Sequence, residues 1–185
     1  MTLLLAGLVL FIGVHLVPCV VPLRAALVAR LGPGRYRGLF SLLALAGLVL
    51  VVLGFVRAPV EPLYAVPGWG HQVSMFAVPV ALLLFAAANM PTHIRAVLRH
   101  PMLLGLLLWA TAHLLSNGDV RSVVLFGSFA GYAVIDLVSA LVRGSRPSTD
   151  KAPRIAMDGA AIVAGLVAAV LLAVFHGTLF GVPVV

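Results

Sequence analysis

Three ionisable side chains stand inside runs of apolar residues: His15, His113 and Asp136. A charge in the middle of a bilayer costs about 2.5–3.5 kcal/mol on insertion scales, so such residues are functional candidates by default. Counted along a helix at about 1.5 Å per residue, His15 lies roughly 18 Å in from one side and His113 roughly 20 Å in from the other. In a hydrocarbon core of about 30 Å, both imidazoles fall within about 10 Å of one level. Two neutral imidazoles facing each other there suit the axial positions of a single metal centre. Haem b answers that description, because its macrocycle is apolar and its iron accepts imidazole. The competing reading is structural: each histidine hydrogen-bonds a neighbouring helix and holds the bundle together.

Around His113, the residues Met102, Leu106, Trp109 and Asn117 recur at helical spacing and form one stripe. An aromatic ring and a thioether on that stripe would wall a porphyrin, or would pack as ordinary core. Asp136 shares a helical face with Tyr132 and Ser139, and Arg143 follows two turns later. A buried carboxylate must be paired or protonated. Arg24, Arg99 and Arg143 are its expected partners, and pairing and chemistry both stay open. Arg24, Arg37, Arg99 and His100 are expected at one membrane boundary, where they suit haem propionates or lipid phosphates. His71 and His176 are expected as wetted histidines at the other boundary, and His93 in a loop.

The elements that must hold these residues are membrane helices. Hydrophobic residues make up 63% of the 185 and charged residues 9%, against about a quarter charged in a soluble domain. The twelve Lys and Arg outnumber five acids, but they lie in short loops and form no single patch, which excludes nucleic acid as the partner. Cys19 is the single cysteine, so no internal disulfide forms. The apolar run from residue 3 lacks a basic leader and is read as a first spanning helix, not a signal peptide. Segments 3–23, 38–56, 73–89, 102–116, 120–142 and 157–179 are long and apolar enough to predict an all-α, six-helix membrane bundle, a single domain over residues 1–185. The fourth is short, and its polar residues call for protein surroundings. Pro18, Pro22 and Pro79 are expected to kink their helices.

Arginines and a lysine crowd the odd loops: Arg24, Arg30, Arg35 and Arg37, then Arg95 and Arg99, then Arg143, Arg146, Lys151 and Arg154. The even loops carry only Arg57 and Arg121. By the positive-inside rule the odd loops are cytoplasmic and both termini lie outside. Gly144, Ser145, Pro147 and Pro153 make the fifth loop a flexible linker.

Gly13-Val14-His15 with Pro22-Leu23-Arg24, the run Tyr36-Arg37-Gly38-Leu39-Phe40, the run Arg99-His100-Pro101-Met102, and Trp109 to Asp119 through His113 and Asn117 resemble the NnrU family. These are bacterial inner-membrane proteins associated with nitrite and nitric oxide reduction. The family is similar to 15-cis-zeta-carotene isomerase, a membrane enzyme that binds haem b. That resemblance implies haem ligation by His15 and His113, with nitric oxide or an apolar substrate as the ligand handled. The isomerase carries a cysteine three residues before its second histidine. Here Ala110 stands there, so a ligand exchange through that thiolate has no counterpart, and Cys19 is the only thiol on offer.

Arg99, His100, Pro101 and Gly105 also resemble a motif of isoprenylcysteine-type membrane methyltransferases, which implies S-adenosylmethionine. The later acidic motif of those enzymes is absent: only Asp150 and Asp158 follow the fifth helix, with no glutamate. A transporter with Asp136 in a water path, or a cofactor-free accessory protein of a respiratory complex, completes the set of classes.

Overall fold

The computed structural model describes residues 1–145, 151–182 and 184; Arg146, Pro147 and Asp150 of the fifth loop lie outside the described residues. Helix α1 spans Thr2–Leu16, α2 Val21–Leu31, α3 Pro33–Arg57, α4 Gly70–Ala88, α5 His93–Leu98, α6 Pro101–Ser116, α7 Val120–Val142 and α8 Ile155–Phe180. Among the described residues the only β-type pairing is an isolated bridge between Pro62 and Asp119. Thr2–Cys19, α3, α4, α7 and α8 are long and apolar enough to cross a membrane, and α6 is a shorter apolar helix. The chain is a multi-pass membrane protein.

The largest difference from expectation lies in the first segment. The first apolar run, predicted as one helix over 3–23, breaks after Leu16 into a 3-10 turn, Val17–Cys19, and restarts as α2. Pro18 lacks the N–H that would continue the α-helical ladder, and Pro22 sits in the first turn of α2, where a missing N–H costs nothing. Helix α2 has no buried residue. It packs on α3, and carries Arg24 and Arg30. Helix α5, expected as loop, is a short turn of helix whose N-cap is the buried Thr92, accepting from Arg95 N at 2.9 Å.

The helices form two groups joined by α7. Helices α1 and α3 pack antiparallel along their length. Gly54 meets the backbone of Leu4, Gly7 that of Val51, and Gly47 that of Phe11, all so closely that a Cβ would clash. Small residues of this kind let membrane helices approach backbone to backbone. Helix α4 packs along both α6 and α8, and α6 packs along α7. Gly105 against Ala81 and Gly165 against Leu83 bring the second group close toward the basic end, and Gly70 against Leu115 O does so at the other end.

At the end of the bundle away from the basic loops, Leu63 N and Tyr64 N both donate to Gly118 O, and Val120 N donates to Glu61 O. The Arg121 guanidinium lies 4.5 Å over the Phe55 ring and donates to Phe55 O at 3.1 Å. At the basic end, Asp158 of α8 accepts from His93 N at 2.8 Å and pairs with His93 Nδ1 at 2.6 Å.

Candidate functional site

A cavity of about 230 Å³ opens among α4, α6 and α8, on the side away from the basic loops. Its walls are apolar (Met75, Val78, Pro79, Leu82, Ala169, Leu172), and its polar residues gather at one end: His71, Ser74, His113, Ser116, Asn117 and His176. The cavity opens toward α8, because α4 and α6 stay in contact here through Gly70 against Leu115 O. Pro79 inside α4 removes a ladder hydrogen bond, while the close glycine contacts of Gly105 and Gly165 lie farther along toward the basic end.

The hydroxyls are already used. Ser116 Oγ donates to Ser74 Oγ at 2.6 Å, and Ser74 Oγ donates to Ala112 O at 2.6 Å, which ties α4 to α6. Asn117 Nδ2 donates to His113 O at 2.9 Å. The imidazoles remain. His113 Nδ1 lies 2.8 Å from Trp109 O; a carbonyl only accepts, so Nδ1 carries the proton and Nε2 keeps the lone pair. Phe126 stacks on this ring at 4.4 Å and Trp109 lies at 4.8 Å, so its plane is held from two sides. His176 Nδ1 donates to Val182 O in the same way.

His15 shares the lock but not the cavity. Its Nδ1 donates to Phe11 O at 2.7 Å, and its ring lies against Phe11 at 4.2 Å, Phe40 at 5.1 Å and Tyr132 at 6.0 Å. Helix α7 serves as a ruler: Phe126 touches His113 and Tyr132 touches His15, six residues apart, or about 9 Å along the axis. The two histidines are therefore near in level but are not face to face. Ring contacts join them through Phe11, Phe129 and Trp109, and these rings pack with Leu4, Leu8 and Phe126 as core.

Asp136 finds the third of its expected partners. Arg143 Nη2 is 3.9 Å from its carboxylate, Tyr132 Oη donates to it at 3.1 Å, and Cys19 Sγ donates at 3.2 Å. Arg143 also donates to Cys19 O at 3.0 Å. This network pins the break after α1 to α7, and the thiol of Cys19 is spent on a carboxylate.

The residues expected to hold anionic groups are divided between the two groups of helices. Arg24 is on α2 and Arg37 on α3, where its Nε donates to Pro33 O. Arg99 caps α5 with φ of 62°, and His100 precedes α6 with a buried Nε2 that has no partner. Pro101 is buried at the start of α6 and Met102 is exposed beside it, at the opposite end of that helix from His113. Trp109 packs between Phe126 and Phe129. His71 and His176, read from sequence as wetted, line the cavity with His113. The signal for them was the shortness of the fourth apolar run, which brings His113 to within a turn of the helix end and so to their level.

Among the described residues no cluster of three or more histidine, cysteine or acidic side chains is arranged to hold a metal ion. The donor chemistry nevertheless fits haem iron at His113: an imidazole with Nδ1 bonded to a carbonyl and Nε2 free is the arrangement found in metal-ligating histidines. The space between His15 and His113 does not fit a macrocycle as it stands, because packed aromatic side chains fill it.

A family model described as NnrU protein matches residues 3–184. No curated protein and no solved structure matches the chain.

Proposed function

Since the chain belongs to the NnrU family, we propose that it is a bacterial inner-membrane haem b protein serving nitrogen-oxide metabolism, with His113 as an iron ligand. The observation that carries this reading is His113, whose Nδ1 proton is held by Trp109 O, leaving Nε2 the lone pair, and which lines an apolar cavity. Haem held there would supply an iron centre able to exchange an electron or to take up nitric oxide. The protein's own residues do the rest. Phe126 and Trp109 hold the imidazole plane. Met75, Val78, Leu82 and Leu172 keep water from the site. The Ser116–Ser74–Ala112 chain keeps α6 from sliding on α4.

The test is an absorption spectrum of the detergent-purified protein, oxidised and then reduced, with haem supplied during expression. A Soret band that sharpens on reduction, is lost in His113→Ala and shifts when nitric oxide is added is the expected result. A wild-type protein with no Soret band defeats the reading.

A second reading is favoured by the buried, unpartnered Nε2 of His100, which suits a polar cofactor such as S-adenosylmethionine at the basic end. Against it, Gly105, the last residue of that motif, is closed off by Ala81 O, 2.9 Å from where a Cβ would stand. Binding of S-adenosylmethionine in equilibrium dialysis, abolished by His100→Ala, would bring this reading forward.

A further inference from the structure

We propose that the cavity among α4, α6 and α8 binds an uncharged, slender molecule that ends in a hydroxyl group, an alcohol or a phenol. This goes beyond the haem reading and does not rest on it. Size and charge narrow the guest first. At about 230 Å³ the cavity falls below the range of about 300–1,000 Å³ that encloses a drug-sized ligand. Among the described residues no Lys, Arg, Asp or Glu lines it. A carboxylate, phosphate or ammonium group would therefore be buried there without a counter-charge. Along α4 the wall runs from Ser74 to Leu82, about 12 Å at the helical rise. Polar side chains stand only at the end away from the basic loops, so an apolar body with one polar head fits. Helices α6 and α8 each pack along α4 but not along each other, which leaves the side between them for entry from the bilayer.

What the polar residues have left to offer decides the head. Each serine hydroxyl has one proton, and both protons are committed. Ser74 Oγ faces Ala112 O at 2.6 Å and Gly70 O at 3.0 Å; Ser116 Oγ faces Ser74 Oγ at 2.6 Å and Gly70 O at 3.4 Å. The imidazoles of His113 and His176 have Nδ1 committed to Trp109 O and Val182 O. For His176 this depends on a chain reversal, in which Gly181 adopts φ of 75° and its N–H donates to Gly177 O. Four side chains at one end of the cavity thus keep lone pairs and have no proton to give. A carbonyl or ether head would set lone pairs against lone pairs. A hydroxyl head donates to one of the four and still accepts, from His71 or from the second amide hydrogen of Asn117. His113 is shared with the haem reading, whereas Ser74, Ser116 and His176 are not.

The experiment titrates the full chain, as purified in detergent, with para-heptylphenol, with its methyl ether and with octanoate. Bound probe is counted by native mass spectrometry, and the Soret band is recorded on the same sample. The inference expects one phenol per chain, a methyl ether at least about tenfold weaker, and no octanoate. Ala169→Leu, which fills the apolar wall, should lose the phenol while keeping its melting temperature. His176→Phe combined with Ser116→Ala keeps the bulk of the site and removes two acceptors, so the phenol should lose most of its preference over the ether. The wild-type comparison of phenol with ether needs no variant to fold. An ether that binds as tightly as the phenol overturns the inference, as does octanoate binding more tightly. Phenol retained by a folded Ala169→Leu, or no saturable binding by the wild type, also overturns it. The haem reading fails separately: phenol bound by a chain without a Soret band defeats haem alone, and a Soret band without phenol binding defeats this inference alone.

Discussion

The α1–α3 pair and the α4–α6–α8 group each carry a backbone-locked histidine, yet His15 is surrounded by aromatic rings while His113 lines a cavity. In the first, glycines at three successive levels bring the two backbones together from Leu4 to Phe11, and the aromatic side chains around His15 fill what remains. In the second, Gly105 and Gly165 make close contact toward the basic end and Gly70 meets Leu115 O at the other. Beyond Pro79 the Ser74–Ser116 bond still holds α4 on α6, and the space that remains lies between that pair and α8. Close packing followed by separation produces a cavity; close packing throughout produces a rigid strut. The same residue type, histidine, is thus a core member in one group and an accessible donor in the other.

The comparison is broken most forcefully at the glycines. Gly54→Leu places a side chain where Leu4 N stands 2.3 Å from the Cβ position. Overpacking costs about 1–3 kcal/mol, and more where the obstacle is backbone. Loss of a monodisperse folded species in size-exclusion chromatography, or a steep fall in melting temperature, is expected. Ala173→Leu on the cavity wall should instead leave the melting temperature in place while excluding haem. Equal melting temperatures for the two variants would erase the distinction between strut and cavity.

Asp136→Ala comes next in size. It leaves Tyr132 Oη, Cys19 Sγ and part of the Arg143 guanidinium without an acceptor. A stranded partner costs about 1–3 kcal/mol, toward the lower figure here because the pair is partly solvated. Since this network serves the first group, thermal unfolding should shift while the haem spectrum does not; a changed spectrum would show the two groups to be coupled. The smallest effect is expected for Asp119→Ala, which removes the N-cap of α7 on Ser122 N and Oγ. About 1 kcal/mol is lost with such a cap, read as a modest drop in denaturation midpoint.

Much of the helix inventory could be read from apolar runs: 120–142 matches α7 residue for residue, and the family likeness rested on residues spread along most of the chain. The break after Leu16 could not be read from hydropathy, because Val17 to Leu23 stay apolar on both sides of it, and only the two prolines mark it. Depth was also legible. His15 and His113 do lie within about 10 Å of one level, as counting residues along each helix suggested. Depth is a single coordinate, however, and facing requires the rotation of each helix, which is set by the glycine contacts of α1 with α3 and of α4 with α6 and α8. The setting of His176 was harder still, since its ring is held by a carbonyl six residues on that returns only after the turn at Gly181. Of the three arginines weighed for Asp136, only the structure could choose Arg143, because the choice depends on where α2 leaves the bundle.

The pairing of α4 with α8 also sets an order of manufacture. Helices α1 and α3 can meet while the ribosome is still at work, since both have been made before α4 begins. The face of α4 that will line the cavity must wait for α5, α6, α7 and the linker, several seconds at about 5–20 residues per second. Until then His113 and its neighbours are bare to lipid, or to whatever insertion factor shelters them, and a cofactor loaded at that stage would be enclosed as α8 arrives rather than threaded in afterwards.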